Sequence, residues 1–335
     1  MSYDLITVGR ANMDLFSLGA DDARLFEAMV GGSPTNIAIA SRRLGLRSVA
    51  FTGVGDDPVG EFVLDYLQAE GVATEWVQRV SGKLTSLALL GVKSASSVPL
   101  SFYRTDPADI HLTLEDAATL PFAGTRAVLV SGNALSRGSS ADAAAFCAAE
   151  AARRDLDVFM DLDLRPTEWS APDAFGAAIR PVLADVDVLI GTEEELWALL
   201  SDRPEIVFEG DEMPSQARPG LAIAIDRLVT DGAGPGVVVL KQGERGVKLH
   251  GPAEHPIEVA GYPVEVVNTV GAGDAFAAGL ITRRLARDAW HTAASFANAC
   301  GAIVVTRHGC ASAFPFLAEV EAFLAAHDSG AVAHG

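Results

Sequence analysis

Cysteine is scarce in this sequence, and the few cysteines are not spaced like metal ligands. Cys147, Cys300 and Cys310 are the three cysteines among 335 residues. A small, odd count in a chain of this length is typical of a reducing compartment, in which disulfides are rare. We therefore expect buried free thiols and a cytoplasmic protein.

Long apolar runs and basic clusters are missing as well. No run approaches the roughly 18 apolar residues of a membrane-spanning helix, and the first residues lack the pattern of a secretory signal peptide. The chain has 25 basic and 44 acidic residues, which gives a net charge of −19. Such a field repels polyanions, and no run of Lys or Arg could follow a phosphate backbone. We expect neither a membrane nor a nucleic acid as a partner.

Two common nucleotide-binding motifs are also absent. The P-loop pattern G-x-x-x-x-G-K-[ST] does not occur, and the segment TGVGDDPVG lacks the G-x-G-x-x-G spacing of dinucleotide-binding folds. These absences disfavour a nicotinamide-dependent enzyme. The chain is 49% hydrophobic, which is enough for a sizeable core at this length, so we expect a soluble globular protein.

Short apolar segments alternate with helical patterns along most of the chain. The strand-like segments are continuously apolar, which is typical of a parallel sheet covered by helices on both faces. The pattern predicts a doubly wound α/β fold with a mainly parallel sheet, in a single domain over residues 1–335. The strand-like segments are DLITVG, SVAFTGVG, AVLVSG, DVFMDLD, DVLIG and GVVVLKQG.

Two regions interrupt this alternation. Residues of about 12–31 and 85–105 have strand patterns with no helix between the strands, so we expect them to pair as a small antiparallel β-sheet. We interpret that sheet as a lid over the open edge of the main sheet.

The segment NTVGAGDAFAAG places three small residues before an acid at the start of a helix. With little bulk at Gly271, Ala272 and Gly273, successive backbone N–H groups can converge on one oxygen anion, helped by the helix dipole. Asp274 follows directly and can accept a proton from a hydroxyl held beside that anion. This pair suits phosphoryl transfer to an alcohol. The alternative is a glycine-rich turn that Asp274 merely caps.

Other segments add candidate ligands at predicted helix and strand ends. Asn36 in GGSPTN offers both a donor and an acceptor to a polyol, although the segment could simply start a helix. In LKQGERG, Lys241, Gly243 and Gly246 could let the backbone approach a nucleotide, or could form an ordinary β-turn. In GTEEE, one glutamate could hold water around Mg²⁺, or the acids could only complement a helix dipole.

Five segments, in this order, resemble the ribokinase/PfkB family of sugar kinases: GGSPTN, DLDLRP, GTEEE, LKQGERG and NTVGAGDAFAAG. The resemblance covers essentially the whole chain. It implies a ribokinase-like αβα sandwich with a β lid. It also implies an enzyme that, with Mg²⁺, transfers the γ-phosphoryl group of ATP to a sugar hydroxyl.

The resemblance implies a role for each matching residue. Asp274 would be the base, and the backbone of residues 271–273 would form the anion hole. Glu194 would contact Mg²⁺ through water. The implied sugar contacts are Asp14, Gly32 and Asn36. The implied nucleotide contacts are Lys241, Gly243, Gly246 and Asn298.

Within the family, further segments resemble a branch that acts on a sugar acid, among them GRANMDLF, FYRTDPAD and ANACGAIVVTRHGCASAFP. A carboxylate substrate needs a local cation in so acidic a protein, and Arg104 and Arg165 are the candidates for charge-assisted pairing. At an effective dielectric constant of 20, such a pair at 4 Å contributes about 4 kcal/mol before desolvation. Each arginine could instead form a salt bridge with Asp106, Asp109 or Asp163.

Three positions depart from the wider family pattern, as they do in that branch. Asn268 stands where Asp is usual, at a position associated with a monovalent cation, so dependence on such a cation stays open. Gly191 begins the N-x-x-E segment, so only Glu194 carries over. Asp163 stands where asparagine is usual.

Several alternatives stay open at this point. The substrate could be another sugar acid or a neutral, fructose-type sugar. A sugar-binding regulator without turnover is the alternative from a different functional class. The resemblance also makes a homo-oligomer formed through the lid an expectation.

Overall fold

The computed structural model describes residues 2–17, 25–91, 100–209, 217–251 and 253–332. Its strands are β1 (Leu5–Val8), β2 (Asn12–Ser17), β3 (Phe26–Gly31), β4 (Ser48–Gly55), β5 (Val77–Val80), β6 (Ser86–Leu90), β7 (Leu100–Tyr103), β8 (Ala127–Ser131), β9 (Asp157–Asp161), β10 (Val188–Thr192), β11 (Val237–Lys241), β12 (Val247–His250) and β13 (Ile257–Val259). Its α-helices are α1 (Ser33–Arg43), α2 (Pro58–Ala69), α3 (Leu114–Ala118), α4 (Ser139–Arg153), α5 (Pro172–Ile179), α6 (Glu193–Leu200), α7 (Glu205–Phe208), α8 (Arg218–Thr230), α9 (Ala272–Leu285), α10 (Trp290–Val305) and α11 (Leu317–Val332).

Within these ranges, nine strands form the main sheet, in the order β13-β12-β11-β10-β9-β8-β1-β4-β5. The pairs from β11 to β5 in this order are all parallel. Strands β12 and β13 add an antiparallel edge. The predicted doubly wound, mainly parallel sheet is confirmed.

Helices cover both faces of the main sheet because its strands are apolar on both sides. In β8, Leu129 belongs to one hydrophobic core, whereas Val128 and Val130 belong to the other. Helices α1, α9 and α10 contribute to the first core, and α4, α5 and α6 contribute to the second. The loops that follow the parallel strands all lie at the carboxyl ends of those strands. Ligands bind at this end of the sheet in such folds.

A second sheet has the order β3-β2-β6-β7 in the described part of the chain, and we call it the lid sheet. Strands β2 and β3 pair antiparallel, as do β6 and β7. Strands β2 and β6 run parallel, because the chain passes through α1, β4, α2 and β5 before it returns to this sheet. The predicted lid insertions, 12–31 and 85–105, contain these strands. Residues 18–24 and 92–99 of those insertions lie outside the described residues.

No helix within the described ranges combines the length and the hydropathy needed to cross a bilayer.

Candidate active site

The segment NTVGAGD leads into the N-terminus of α9. Gly271 is the N-cap residue, and its φ of +84° lies in the left-handed region that favours glycine. A Cβ atom on Gly271 would lie 2.9 Å from Cys310 Sγ. A larger residue would therefore be strained and would also displace the start of the helix.

The first backbone N–H groups of α9 are available to a ligand. Among the described residues, the Ala272 N–H makes only a long bond of 3.4 Å to the Thr269 carbonyl, and the N–H groups of Gly271 and Gly273 have no protein acceptor. Gly271 and Gly273 also line a cavity. Free N–H groups at a helix N-terminus attract an anion, so the predicted anion hole is sterically open.

Asp274 lies beside these amides and faces the same cavity. Its Oδ2 accepts a hydrogen bond of 2.8 Å from Asn36 Nδ2. Burial raises the pKa of Asp274, and repulsion from Asp163 adds to this effect, whereas hydrogen bonds from Asn36 and Ser33 oppose it. The carboxylate thus combines a fixed orientation with increased basicity, as a general base requires.

Two cavities meet at this helix start. The smaller one has a volume of about 270 Å³ and is lined mainly by polar and charged side chains, so we call it the polar cavity. The larger one has a volume of about 850 Å³ and is lined by glycine backbone and several apolar side chains, so we call it the glycine-rich cavity. Lys241, Thr269 and Gly273 line both. The candidate anion hole therefore lies where the two cavities join.

The glycine-rich cavity is lined by all four residues predicted to contact a nucleotide: Lys241, Gly243, Gly246 and Asn298. Both glycines adopt positive φ angles, 59° and 91°. Asn298 Nδ2 donates to the carbonyls of Val259 and Ala260 at 3.1 and 3.0 Å, which fixes the chain that follows β13. Lys241 Nζ pairs with Asp161 at 3.2 Å at the junction of the cavities.

The polar cavity contains the predicted sugar contacts Asp14, Gly32 and Asn36. Asn36 Oδ1 is buried and has no partner among the described residues, so it is free to accept a bond from a hydroxyl. Burial raises the pKa of Asp14 to about 7, although Arg10 and the Asn12 amide act in the opposite direction. Gly32 has a φ of +98°, and a Cβ atom there would lie 2.3 Å from the Arg10 carbonyl oxygen.

Of the two predicted carboxylate-binding arginines, Arg165 reaches the polar cavity and Arg104 does not. Arg165 Nη2 pairs with Asp163 Oδ1 at 2.9 Å. The Arg104 guanidinium is buried and donates to Asp109, Glu168 and a serine hydroxyl at 3.0 to 3.1 Å. The salt-bridge alternative with Asp109 therefore describes Arg104, because its guanidinium nitrogens are already bonded within the protein.

Glu194 is not brought to the site either. It is exposed on α6 and lines neither cavity. The next residue, Glu195, lines the polar cavity, and its carboxylate accepts bonds from the N–H groups of Thr192 and Leu164 at 2.8 and 3.0 Å. Successive helical residues point about 100° apart. The predicted Glu194 is therefore exposed, whereas Glu195, one residue later, faces the polar cavity.

Four further charged residues line the polar cavity: Arg10, Asp161, Asp163 and Glu195. Arg10 and Asp161 were not predicted to contact a ligand, whereas Asp163 was considered as a salt-bridge partner and Glu195 as one of the three GTEEE glutamates that could hold water around Mg²⁺. Arg10 follows β1, while Asp161 ends β9 and Asp163 lies just after it. Burial raises the pKa of Asp161, and Lys241 opposes this effect. Their positions in the sequence could have indicated them, because residues at the carboxyl ends of parallel strands lie at the same end of the sheet.

The described residues contain no group of three His, Cys, Asp or Glu side chains arranged to hold a metal ion by themselves. Asn268, at the position linked to a monovalent cation, is engaged at both ends. Its Oδ1 accepts a bond from the Val270 N–H at 3.0 Å, and its Nδ2 donates to the Gly309 carbonyl at 2.7 Å. These bonds tie together the loops that flank the anion hole, and the monovalent cation stays a prediction.

Comparison with known proteins agrees with this geometry. The pfkB family carbohydrate kinase profile matches residues 3–317. A 5-dehydro-2-deoxygluconokinase of Listeria innocua is 31% identical over 332 residues, covering 97% of each chain. Another protein of that name, from Halalkalibacterium halodurans, is 31% identical over 327 residues, covering 96% of this chain and 94% of the relative.

A solved structure gives the same result for the fold. A fructokinase of Vibrio cholerae, bound to fructose, ADP and a calcium ion, has a TM-score of 0.79 and 28% identity, and the match covers 96% of this chain and 99% of the fructokinase. The chain therefore belongs to the pfkB family of carbohydrate kinases and is a phosphotransferase that acts on a sugar hydroxyl.

Proposed function

We propose that this protein is an ATP-dependent kinase that phosphorylates the 6-hydroxyl of 5-dehydro-2-deoxy-D-gluconate, a sugar acid of myo-inositol catabolism. The proposal depends above all on one observation, the position of Asp274 beside free α9 amides where the two cavities join. The relatives named for this substrate, which match nearly the whole chain, support the choice of a sugar acid.

In this proposal, Asp274 takes the proton of the 6-hydroxyl as that oxygen attacks the γ-phosphorus of ATP, and the bond from the γ-phosphorus to the bridging oxygen breaks so that ADP leaves. The hydrogen bond from Asn36 orients the accepting carboxylate. The N–H groups of residues 271–273 stabilise the negative charge that develops on the transferred group. The loss of one such donor typically lowers the rate by about 10²- to 10³-fold.

Lys241 supplies a cation where the nucleotide phosphates would lie. Burial lowers the pKa of Lys241, but the carboxylates of Asp161 and Glu195 outweigh burial and hold the pKa above its ordinary value. Lys241 therefore stays charged at neutral pH. Mg²⁺, which keeps several waters when bound, would add positive charge beside the phosphates, and Asp161 and Glu195 are the carboxylates placed to hold its water shell.

The polar cavity would hold the sugar acid. Asp14 and Asn36 bind its hydroxyls, and Arg165 pairs with its carboxylate. From the lid sheet, Leu90 and Phe102 line the cavity. These apolar side chains help to exclude water, which competes with the sugar as phosphoryl acceptor.

A fructose-type sugar is the second candidate substrate, because the solved fructokinase of this family binds fructose. 2-Keto-3-deoxy-D-gluconate is a further sugar-acid alternative. A cytoplasmic location and a homo-oligomer formed through the lid sheet stay predictions.

A substrate panel tests this proposal. We expect the highest kcat/KM with 5-dehydro-2-deoxy-D-gluconate among the three compounds, with ATP and Mg²⁺ present. We also expect phosphorus–proton NMR of the product to place the phosphate on the 6-oxygen. A clear preference for fructose, or a phosphate at another position, would overturn the proposal.

A further inference from the structure

We infer that Arg10 is a second carboxylate-binding residue of the polar cavity and determines its selectivity for sugar acids over neutral sugars. The inference rests on the proposed function and deepens it, because it names a residue that recognises the acid group. Three observations support the inference. Arg10 has a buried donor without a partner among the described residues, it shares Asp163 with Arg165, and its guanidinium lies against Phe102 of the lid sheet.

Arg10 is buried but makes few hydrogen bonds. The residue is 3% exposed, and it lines the polar cavity. Its Nη1 donates to Asn133 Oδ1 at a long 3.4 Å, and its Nε has no partner in the described part of the chain. A guanidinium has five N–H donors, and burying such donors without partners is unfavourable. An anion entering the cavity would satisfy them.

The charge of Arg10 is also incompletely neutralised. Its Nη2 lies 3.6 Å from Asp163 Oδ2, and Asp163 pairs more closely with Arg165, at 2.9 Å. Two guanidiniums thus share one carboxylate. Burial raises the pKa of nearby Asp14 to about 7, so this acid is partly protonated at neutral pH. Among the described residues, Asp163 is the one carboxylate that pairs with either guanidinium, so a bound carboxylate could pair with both.

Asp163 holds both arginines in place. Its φ of 39° is uncommon for a residue other than glycine, and its Oδ2 accepts a bond of 3.1 Å from Ser131 Oγ. Arg165 Nε is buried without a partner among the described residues, as Arg10 Nε is. Each guanidinium therefore has an unused Nε donor among the described residues. Each also pairs with a different oxygen of Asp163.

Phe102 of the lid sheet completes this environment. Its ring centroid lies 5.2 Å from the Arg10 guanidinium carbon, and its side chain lines the same cavity. Contact with an aromatic ring limits the hydration of a guanidinium and restricts its motion. A carboxylate can accept two parallel bonds from such a fork. A neutral sugar offers only hydroxyl, ring and carbonyl oxygens, whose bonds to a guanidinium lack this charge assistance.

The test compares wild-type protein with Arg10→Gln, Arg10→Lys and a surface control, Arg79→Gln. Arg79 pairs with Glu61 at 2.6 Å and lines neither cavity. We expect Arg10→Gln to raise KM for 5-dehydro-2-deoxy-D-gluconate by about 10- to 100-fold, with KM for ATP changed less than about twofold. Arg10→Lys keeps the charge without the fork and is expected to fall between Arg10→Gln and wild type. Arg79→Gln is expected to match wild type.

The outcomes separate the inference from the proposed function. If wild type phosphorylates the acid and Arg10→Gln keeps the wild-type KM, Arg10 has no such role and the proposed function stands. Equal rises in KM for the acid and for ATP, or a failure of both Arg10 variants to fold, would assign Arg10 to the fold and overturn the inference. A wild-type protein that does not phosphorylate the acid would overturn the proposed function, together with the inference that rests on it.

Discussion

Two buried arginines of this kinase, Arg10 and Arg104, have opposite surroundings. Arg104 is 7% exposed and donates to two carboxylates and a hydroxyl at 3.0 to 3.1 Å. Arg10 is 3% exposed, with one long hydrogen bond and a carboxylate 3.6 Å away. The protein offsets the cost of burying the charge for Arg104 but only partly for Arg10. Burial alone does not distinguish these two arginines, whereas their hydrogen bonds do.

The two arginines belong to regions with different tasks. Arg104, Asp109, Arg137 and Glu168 form a salt-bridged cluster, in which Arg137 donates to the Arg104 carbonyl and to Glu168. This cluster joins the end of β7 to the loop that follows β9. In this cluster the buried Arg137 Nε has no partner among the described residues. The polar cavity contains four such atoms, on Arg10, Asn12, Asn36 and Arg165. One region contributes stability, and the other keeps capacity for a ligand.

The largest expected effect is on turnover and comes from substitution of Asp274. We expect Asp274→Asn to lower kcat by about 10²- to 10⁴-fold, because a positioned general base contributes that much. KM for the sugar should change little. Thermal stability should not fall, since the substitution removes a carboxylate whose pKa burial has raised. Near-normal turnover in steady-state assays would show that Asp274 is not the base.

The next effect is on stability, at Arg104. Arg104→Gln should lower the free energy of unfolding by about 3–5 kcal/mol, because it leaves Asp109 buried without its cation and leaves Glu168 with Arg137 alone. KM for the sugar acid and KM for ATP should change by similar, small factors. Urea denaturation and kinetics measure both, with Arg79→Gln as a control expected to unfold like wild type. A selective rise in KM for the acid at unchanged stability would make Arg104 a ligand contact.

The smallest expected effect is on the pH dependence of stability and comes from substitution of Asp14. The folded-state pKa of Asp14 is raised to about 7, above the ordinary value of about 4. Between these values the folded protein binds more protons than the unfolded chain, so this group lowers stability as pH rises. Relative to wild type, Asp14→Asn should gain stability from about pH 4 to 7, by at most about 1.4 kcal/mol per pH unit, and level off above 7. A pH-independent difference in urea denaturation would contradict the burial of a titrating Asp14.

Much of the fold was predictable because strand and helix patterns alternate along the chain. Strand β4 has the bounds of the predicted strand segment SVAFTGVG. The edge strands β12 and β13 were not predicted, because they are four and three residues long and include polar residues. The sequence pattern predicts one helix over Pro172 to Leu183, but the α-helix ends at Ile179 and continues as a 3₁₀-helix, Arg180–Asp185, because Pro181 lacks the N–H that an α-helix needs.

The site was predictable where a local motif defines it. Asp274 and its glycines belong to one helix start, so their chemistry could be read from adjacent residues. Arg10 could not be found in this way, because its partners Asn133 and Asp163 lie far away in sequence. Arg104 and Arg165 both follow predicted strands, and only their contacts separate them.

In the proposed complex, the sugar acid lies in the polar cavity with its carboxylate on the two arginines and its reacting hydroxyl at residue 274. A crystal structure of Asp274→Asn with 5-dehydro-2-deoxy-D-gluconate and ADP tests this most directly. We expect the carboxylate oxygens of the sugar acid to lie about 3 Å from the guanidiniums of Arg10 and Arg165. We also expect its 6-hydroxyl to lie within hydrogen-bond distance of the substituted side chain. A carboxylate directed away from both arginines, or a 6-hydroxyl remote from residue 274, would contradict it.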